Sequence, residues 1–180
     1  MKNRVAIIIL SVLLVISLAF NALMIAREFR VFGIDLENEL QVGDMAPDFS
    51  VQLLSGETFT LSEHRGTVVV LYFWATWCGP CVATMPSLQA LSEQHENRVL
   101  FVGMNVAESL SRVADFIDER GFTFPIGLDE VGDIHRNLYP SVGIPYTVII
   151  DSNGMITGSF LGGGDGMQSL IENAIMEALN

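Results

Sequence analysis

The chain has 180 residues, of which aliphatic, aromatic and cysteine residues make up 50% and charged residues 17%. That composition excludes a disordered chain, a collagen and a mucin-like stalk, and the length suits one globular domain. A formal net charge of −12 argues against nucleic acid as the main partner, and two cysteines are too few for a disulfide-stapled scaffold or a four-cysteine zinc site.

Val5 to Ala26 carries no charge and only Ser11, Ser17 and Asn21 as polar side chains. As a helix rising about 1.5 Å per residue, these 22 residues reach about 33 Å, enough for a hydrocarbon core of about 30 Å. Residues 1–30 are therefore expected to be a short tail and a transmembrane signal-anchor. Lys2 and Arg4 precede the run; Arg27 and Arg30 follow it, with Glu28 between. Positive charge is nearly balanced, and the free amino terminus tips the expectation. The amino terminus is placed in the cytoplasm and the domain on the extracytoplasmic side of the cell membrane. A cleaved signal peptide is the alternative, with Ser17-Leu18-Ala19 as its site, but the apolar run outlasts the usual h-region of about 7–15 residues. No cysteine lies near the run to carry a lipid. Residues 31–180 hold five arginines, no lysine and 20 acidic residues, a formal charge of −15.

Residues 31–42 read as a short acidic linker, in which Asp35, Glu37 and Glu39 alternate with apolar residues. Folded structure is expected over residues 43–180. Phe49 to Leu53 alternates as a strand, Ser55-Gly56-Glu57 turns, and Thr58 to Thr60 returns. Thr67 to Trp74 is a continuous run of valine and aromatics, the signature of a strand buried on both faces. Beyond Cys81, Val82, Met85, Leu88 and Leu91 recur at helical spacing, interrupted by Pro86. Arg98 to Asn105 reads as another buried strand. Leu110, Val113, Phe116 and Ile117 form an amphipathic helix that Gly121 stops. Phe122 to Ile126 reads as a short strand and Asp129 to Leu138 as a short helix. Tyr146 to Asp151 is a strand that Ser152-Asn153-Gly154 turns into Met155 to Leu161. Gly162 to Gly164 reads as a flexible junction before a last helix. That helix is capped by Asp165 or Gly166 and carries Leu170, Ile171, Ala174, Ile175 and Leu179. Strands alternating with helices predict an α/β fold, and the late hairpin makes its central sheet mixed.

Cys78 and Cys81 stand at i and i+3, after a buried strand and at the start of a helix. Neighbours on one helix face can bring their Cα atoms within disulfide range. The orphan N–H groups and dipole of the helix amino terminus stabilise a thiolate on Cys78. Cys81, one turn further in, is expected to be shielded. The pair reads as an attacking and a resolving thiol: Cys78 takes a substrate disulfide into a mixed disulfide and Cys81 displaces the substrate. Pro80 lacks an N–H, which costs nothing in a first helical turn. The alternatives are two structural free thiols and a metal site. The latter lacks ligands, because His64, His95 and His135 are scattered and read as surface or capping residues.

Trp77-Cys78-Gly79-Pro80-Cys81 resembles the thioredoxin active site, Pro86 matches the kinking proline of that family's active-site helix, and Val142 to Thr147 (VGIPYT) is similar to its cis-proline stretch. The resemblance implies a thioredoxin-like fold whose sheet is flanked by helices. It implies a cis Pro145 packed against the cysteine pair, an Ile144 backbone that pairs with the substrate chain, Trp77 beside the thiol and Trp74 in the core. It implies no cofactor beyond a redox-active Cys78–Cys81 disulfide, and no metal. The anchor, Ala46-Pro47-Asp48-Phe49 and the segment after Asn105 narrow the resemblance to the membrane-tethered TlpA/ResA group. What that group implies is reduction of protein disulfides outside the cytoplasm, commonly in cytochrome c maturation, with a membrane electron donor of the thiol-transfer type.

Two positions depart from the pattern. Thioredoxins carry a buried aspartate where this chain has Tyr72, and many ResA-like members carry a glutamate where it has Thr84. Water, Tyr72 or an acid such as Glu108 is left to serve Cys81 as base. Three rival functions stay open at this point: a peroxiredoxin-like thiol peroxidase, a dithiol oxidase, and a binding module that uses the same groove without chemistry.

Overall fold

The computed structural model describes residues 13–21, 40–164 and 166–180. The chain divides into two units, Met1–Asn38 and Glu39–Asn180. In the first unit, residues 13–21 are helical (α1), and Asn21 Nδ2 donates to the Ser17 carbonyl at 2.9 Å. The rest of the anchor expected over 1–30 and most of the linker expected over 31–42 lie outside the described residues. Among the described residues no helix is long and apolar enough to cross a membrane.

The second unit is built on a five-stranded sheet. Its strands are β3 (Val68–Trp74), β4 (Val99–Val106), β5 (Ile126–Asp129), β6 (Tyr146–Ile150) and β7 (Ile156–Leu161), in spatial order β5-β4-β3-β6-β7. β3, β4 and β5 run parallel, while β6 pairs antiparallel with both β3 and β7. All seven residues of β3 are buried, as a strand must be when it is paired on both edges and packed on both faces. Within it, Tyr72 stands opposite Gly103 of β4 and Thr147 of β6. Gly103 has to be glycine: a Cβ there would lie 2.8 Å from the Phe124 ring and 3.2 Å from Trp74 Nε1.

Alternation along β3 sends its side chains to two cores. Val70, Tyr72 and Trp74 face one, which is closed by three helices: α2 (Gly79–Gln94), α3 (Leu110–Arg120) and α4 (Met167–Ala178). Val69, Leu71 and Phe73 face the other, which is closed by Tyr139 and by the small sheet of β1 (Ser50–Gln52) and β2 (Thr58–Thr60). α2 buries Cys81, Thr84, Met85, Leu88 and Leu91 on one face, with Pro86 inside it. Each buried Leu or Met there contributes about 1.5–3 kcal/mol. α4 buries Ile171, Ala174 and Ile175, whereas Leu170 is exposed.

The structure corrects two sequence expectations. Phe122 to Pro125 is not strand; β5 begins at Ile126. Pro125 has no N–H to give a ladder, so pairing starts from its carbonyl, which accepts Gly103 N–H at 2.8 Å. The helix expected over Asp129 to Leu138 is also shorter. Asp129 ends β5, and only Ile134–Leu138 coils, as one π-type turn. The Asp129 carboxylate accepts the N–H groups of Ile134 (3.2 Å) and His135 (2.9 Å) and so starts that turn from outside it. Gly166, in left-handed conformation, caps α4 without a side chain; Asp165 lies outside the described residues.

Candidate active site

β3 ends at Trp74, which is fully buried, and the chain reaches the surface at Trp77. A tight turn follows, closed by Cys78 N–H donating to the Ala75 carbonyl at 3.1 Å. Cys78 is the N-cap of α2, and its Sγ accepts the N–H of Cys81 at 3.2 Å. Cys78 and Cys81 are joined as a disulfide with their Cα atoms 5.2 Å apart. Cys78 retains 6% of its surface and Cys81 none, while Trp77 is 69% exposed beside them. Gly79 and Pro80 fill the first turn, where the missing proline N–H leaves no gap. When the pair is reduced, the Cys81 N–H and the helix dipole favour negative charge on Cys78. Of the two sulfur-bearing residues, Cys78 is the one that keeps any surface.

The Ile144–Pro145 peptide is cis, and the Ile144 carbonyl lies 3.8 Å from Cys78 Sγ. The stretch before it is held by a short relay: the Ser141 hydroxyl donates to the Gly143 carbonyl at 2.7 Å and meets His135 Nε2 at 2.9 Å. Burial lowers the His135 pKa, with Arg136 acting the same way and Asp129 opposing. Behind the proline, Gly162 N–H donates to the Pro145 carbonyl at 2.7 Å. Gly163 packs so closely that a Cβ would stand 2.6 Å from Thr84 Oγ1, 3.0 Å from the Pro80 carbonyl oxygen and 3.2 Å from Pro145 Cγ. Of the three glycines read from sequence as a flexible junction, Gly162 and Gly163 join the cysteine helix to the cis-proline. Their run of three was the only signal in the sequence, and it does not distinguish a hinge from a close approach.

The two departures from the thioredoxin pattern are both spent on the helix. Tyr72 donates its hydroxyl to the Cys81 carbonyl at 2.9 Å, and Thr84 donates to the Pro80 carbonyl at 2.9 Å. Burial pushes the Tyr72 phenol well above its ordinary range, opposed by the neighbouring Thr84 hydroxyl. Glu108 is 7% exposed and turns its carboxylate to Thr76 and Asn105. The histidines lie apart. His64 stacks on Phe59, His135 sits against Phe73, and His95 is the C-cap of α2. His95 is 4% exposed, so it is not a surface residue. Among the described residues no group of three or more His, Cys, Asp or Glu could hold a metal ion.

Comparison with known proteins agrees with this geometry. The Redoxin family profile matches residues 41–175. The thioredoxin-like protein YneN of Bacillus subtilis is 38% identical over 120 residues, covering 65% of this chain and 69% of that protein. The thiol-disulfide oxidoreductase ResA of Geobacillus thermodenitrificans is 32% identical over 157 residues, covering 87% of each. Among solved structures, one named for a thiol:disulfide interchange protein DsbE of Chlorobium tepidum superposes with a TM-score of 0.74 at 30% identity. It covers 79% of this chain and all of that one. With a bonded cysteine pair capping a helix after the central strand of a thioredoxin-like sheet, the chain belongs to the Redoxin family and is a thiol–disulfide oxidoreductase.

Proposed function

We propose that this enzyme reduces protein disulfides outside the cytoplasm, held at the membrane by the apolar run Val5 to Ala26. The observation that carries the direction of attack is the pairing of a slightly exposed Cys78, whose Sγ faces an N–H of the helix terminus, with a fully buried Cys81. The Cys78 thiolate attacks a substrate disulfide, a mixed disulfide forms, and one substrate thiolate leaves. The Cys81 thiolate then attacks Cys78 Sγ and releases the second substrate sulfur as a thiol. Two electrons pass to the substrate and the Cys78–Cys81 disulfide is left. A dithiol donor in the membrane returns it to the reduced state. Ile144 and Pro145 line the substrate side, with the Ile144 backbone facing the incoming chain. The likeness to the TlpA/ResA group supports cytochrome c maturation as the setting, because a CxxCH pair must be in the thiol form to take haem.

The test is the full chain carrying Cys81→Ser. A peptide disulfide, or the natural substrate in an envelope fraction, is expected to remain joined to Cys78 until dithiothreitol releases it. In the unsubstituted protein the couple is expected between about −220 and −290 mV. A value near the strong-oxidant figure of about −120 mV assigns the enzyme to disulfide insertion instead, and steady turnover of hydrogen peroxide assigns it to the peroxidases. Recovery of the full chain in the soluble rather than the membrane fraction removes the anchor.

A further inference from the structure

Glu108 lies two residues beyond the end of β4, directly after Ala107. Ala107 is the one non-glycine among the described residues with a positive φ, 58°, a conformation that is uncommon for side-chain-bearing residues. Its N–H is held by the Asp129 carbonyl at 2.9 Å. This kink turns Glu108 back under the active-site loop. One carboxylate oxygen accepts Thr76 N–H at 2.7 Å and Asn105 Nδ2 at 2.9 Å, and the other accepts the Thr76 hydroxyl at 2.6 Å. Every partner is a donor, so the place is built for a carboxylate's two acceptor oxygens. A buried acid is unfavourable unless its oxygens are saturated in this way. Asn105 is the β4 residue opposite Trp74, the last residue of β3. Thr76 lies inside the turn from Ala75 to Cys78, and Trp77 and Cys78 follow it directly.

We propose that Glu108 is a positioning residue for thiol exchange. It clamps the turn from Ala75 to Cys78 to the carboxyl ends of β3 and β4. By doing so it sets where Cys78 Sγ stands over the N-terminus of α2 and how Trp77 lies beside it. The proposal rests on the reading above that Cys78 is the attacking thiol. A misplacement of an ångström at a reacting atom can lower a rate by about 100-fold, so a clamp one residue from the tryptophan and two from the nucleophile has leverage.

Two neutral variants separate position from charge. In Glu108→Gln the amide oxygen can still accept from Thr76 N–H and Asn105, and the amide NH2 can donate to the Thr76 hydroxyl. In Glu108→Ala the clamp is gone. Both lack the carboxylate's charge, so any difference between them is positional. The full chain is assayed for peptide-disulfide reduction, for Cys78 thiolate formation by absorbance at 240 nm, and for tryptophan fluorescence. Relative to Glu108→Gln, Glu108→Ala is expected to lose about 10- to 100-fold in kcat/KM. Its Cys78 should also ionise at higher pH, with a changed tryptophan emission. Equal behaviour of the two variants on all three readouts overturns the proposal, and a shared drop in both assigns Glu108 an electrostatic role instead. Should Glu108→Ala fail to fold, Thr76→Val against Thr76→Ser serves the same purpose. The serine keeps the hydroxyl bond and should match the unsubstituted protein, and equal losses in both overturn the clamp. The thiolate titration needs no substrate, so a protein that reduces no disulfide at all removes the proposed function without touching this result.

Discussion

Gly163 shows how much a single missing methyl carries. Its Cα stands where any Cβ would press on Thr84, Pro80 and Pro145 together, and two of those three contacts belong to groups that do not rotate away. Gly163→Ala is expected to destabilise the second unit by about 1–3 kcal/mol, the usual range for overpacking, and to lower reductase activity because the cysteine helix and the cis-proline are pushed apart. Thermal melting and insulin reduction measure the two effects. Thr84→Ala removes the closest atom, so the double variant should recover part of the melting temperature; strict additivity would place the strain elsewhere.

α2 is the element on which the chemistry depends, and its sequence is legible because Val82, Met85, Leu88 and Leu91 recur at helical spacing, although the buried face runs through Cys81 and leaves Val82 half-buried. Leu88 is 1% exposed at the middle of that face. Leu88→Ala is expected to destabilise by about 2–5 kcal/mol in a denaturant melt while leaving Cys78 reactivity in the surviving folded fraction unchanged, since the N-cap lies more than two turns away. β3 was legible for a related reason, as an uninterrupted buried run. The elements that were misplaced share another cause: their ends are set by partners distant in sequence. β5 starts where β4 can first find a carbonyl, beyond the N–H missing at Pro125, and the turn at Ile134 starts where the Asp129 carboxylate reaches it. In the site, Cys78 and Cys81 announce themselves by spacing. Glu108 and Gly163 do not, because what they do depends on Thr76, Asn105, Thr84 and Pro145, which only the fold brings near.

At the scale of the molecule, negative charge far exceeds the positive charge that could pair with it. Residues 31–180 carry a formal −15, yet among the described residues the structure contains one salt bridge, Arg136 to Asp133, on the surface. Individual carboxylates such as Asp129 and Glu108 accept backbone N–H groups, while the excess negative charge as a whole sets a long-range field. A basic peptide disulfide is therefore expected to react faster than a neutral one at low salt. Its advantage should fade as ionic strength rises and the screening length falls to about 10 Å at 0.1 M. Stopped-flow rates against salt test this; rates that do not change with salt remove charge from partner selection.

The stretch from Gly43 to Leu54, which contains β1, has a consequence for how the protein is made. Gly43 N–H and the Asp44 carbonyl bond to Ile156, at the start of β7, and Ala46 N–H bonds to the Gly154 carbonyl in the turn before it. A few residues later, Leu54 N–H bonds to the Ile126 carbonyl in β5. One short stretch near the start of the second unit thus binds both outer strands of the sheet. During synthesis at about 5–20 residues per second, residues 43–46 wait roughly 6 to 22 s for their partners, which are encoded more than a hundred residues later. The two cysteines are only three positions apart, so they are available to each other well before the sheet around them can close. Bringing the two sulfurs together therefore does not wait for the sheet to close.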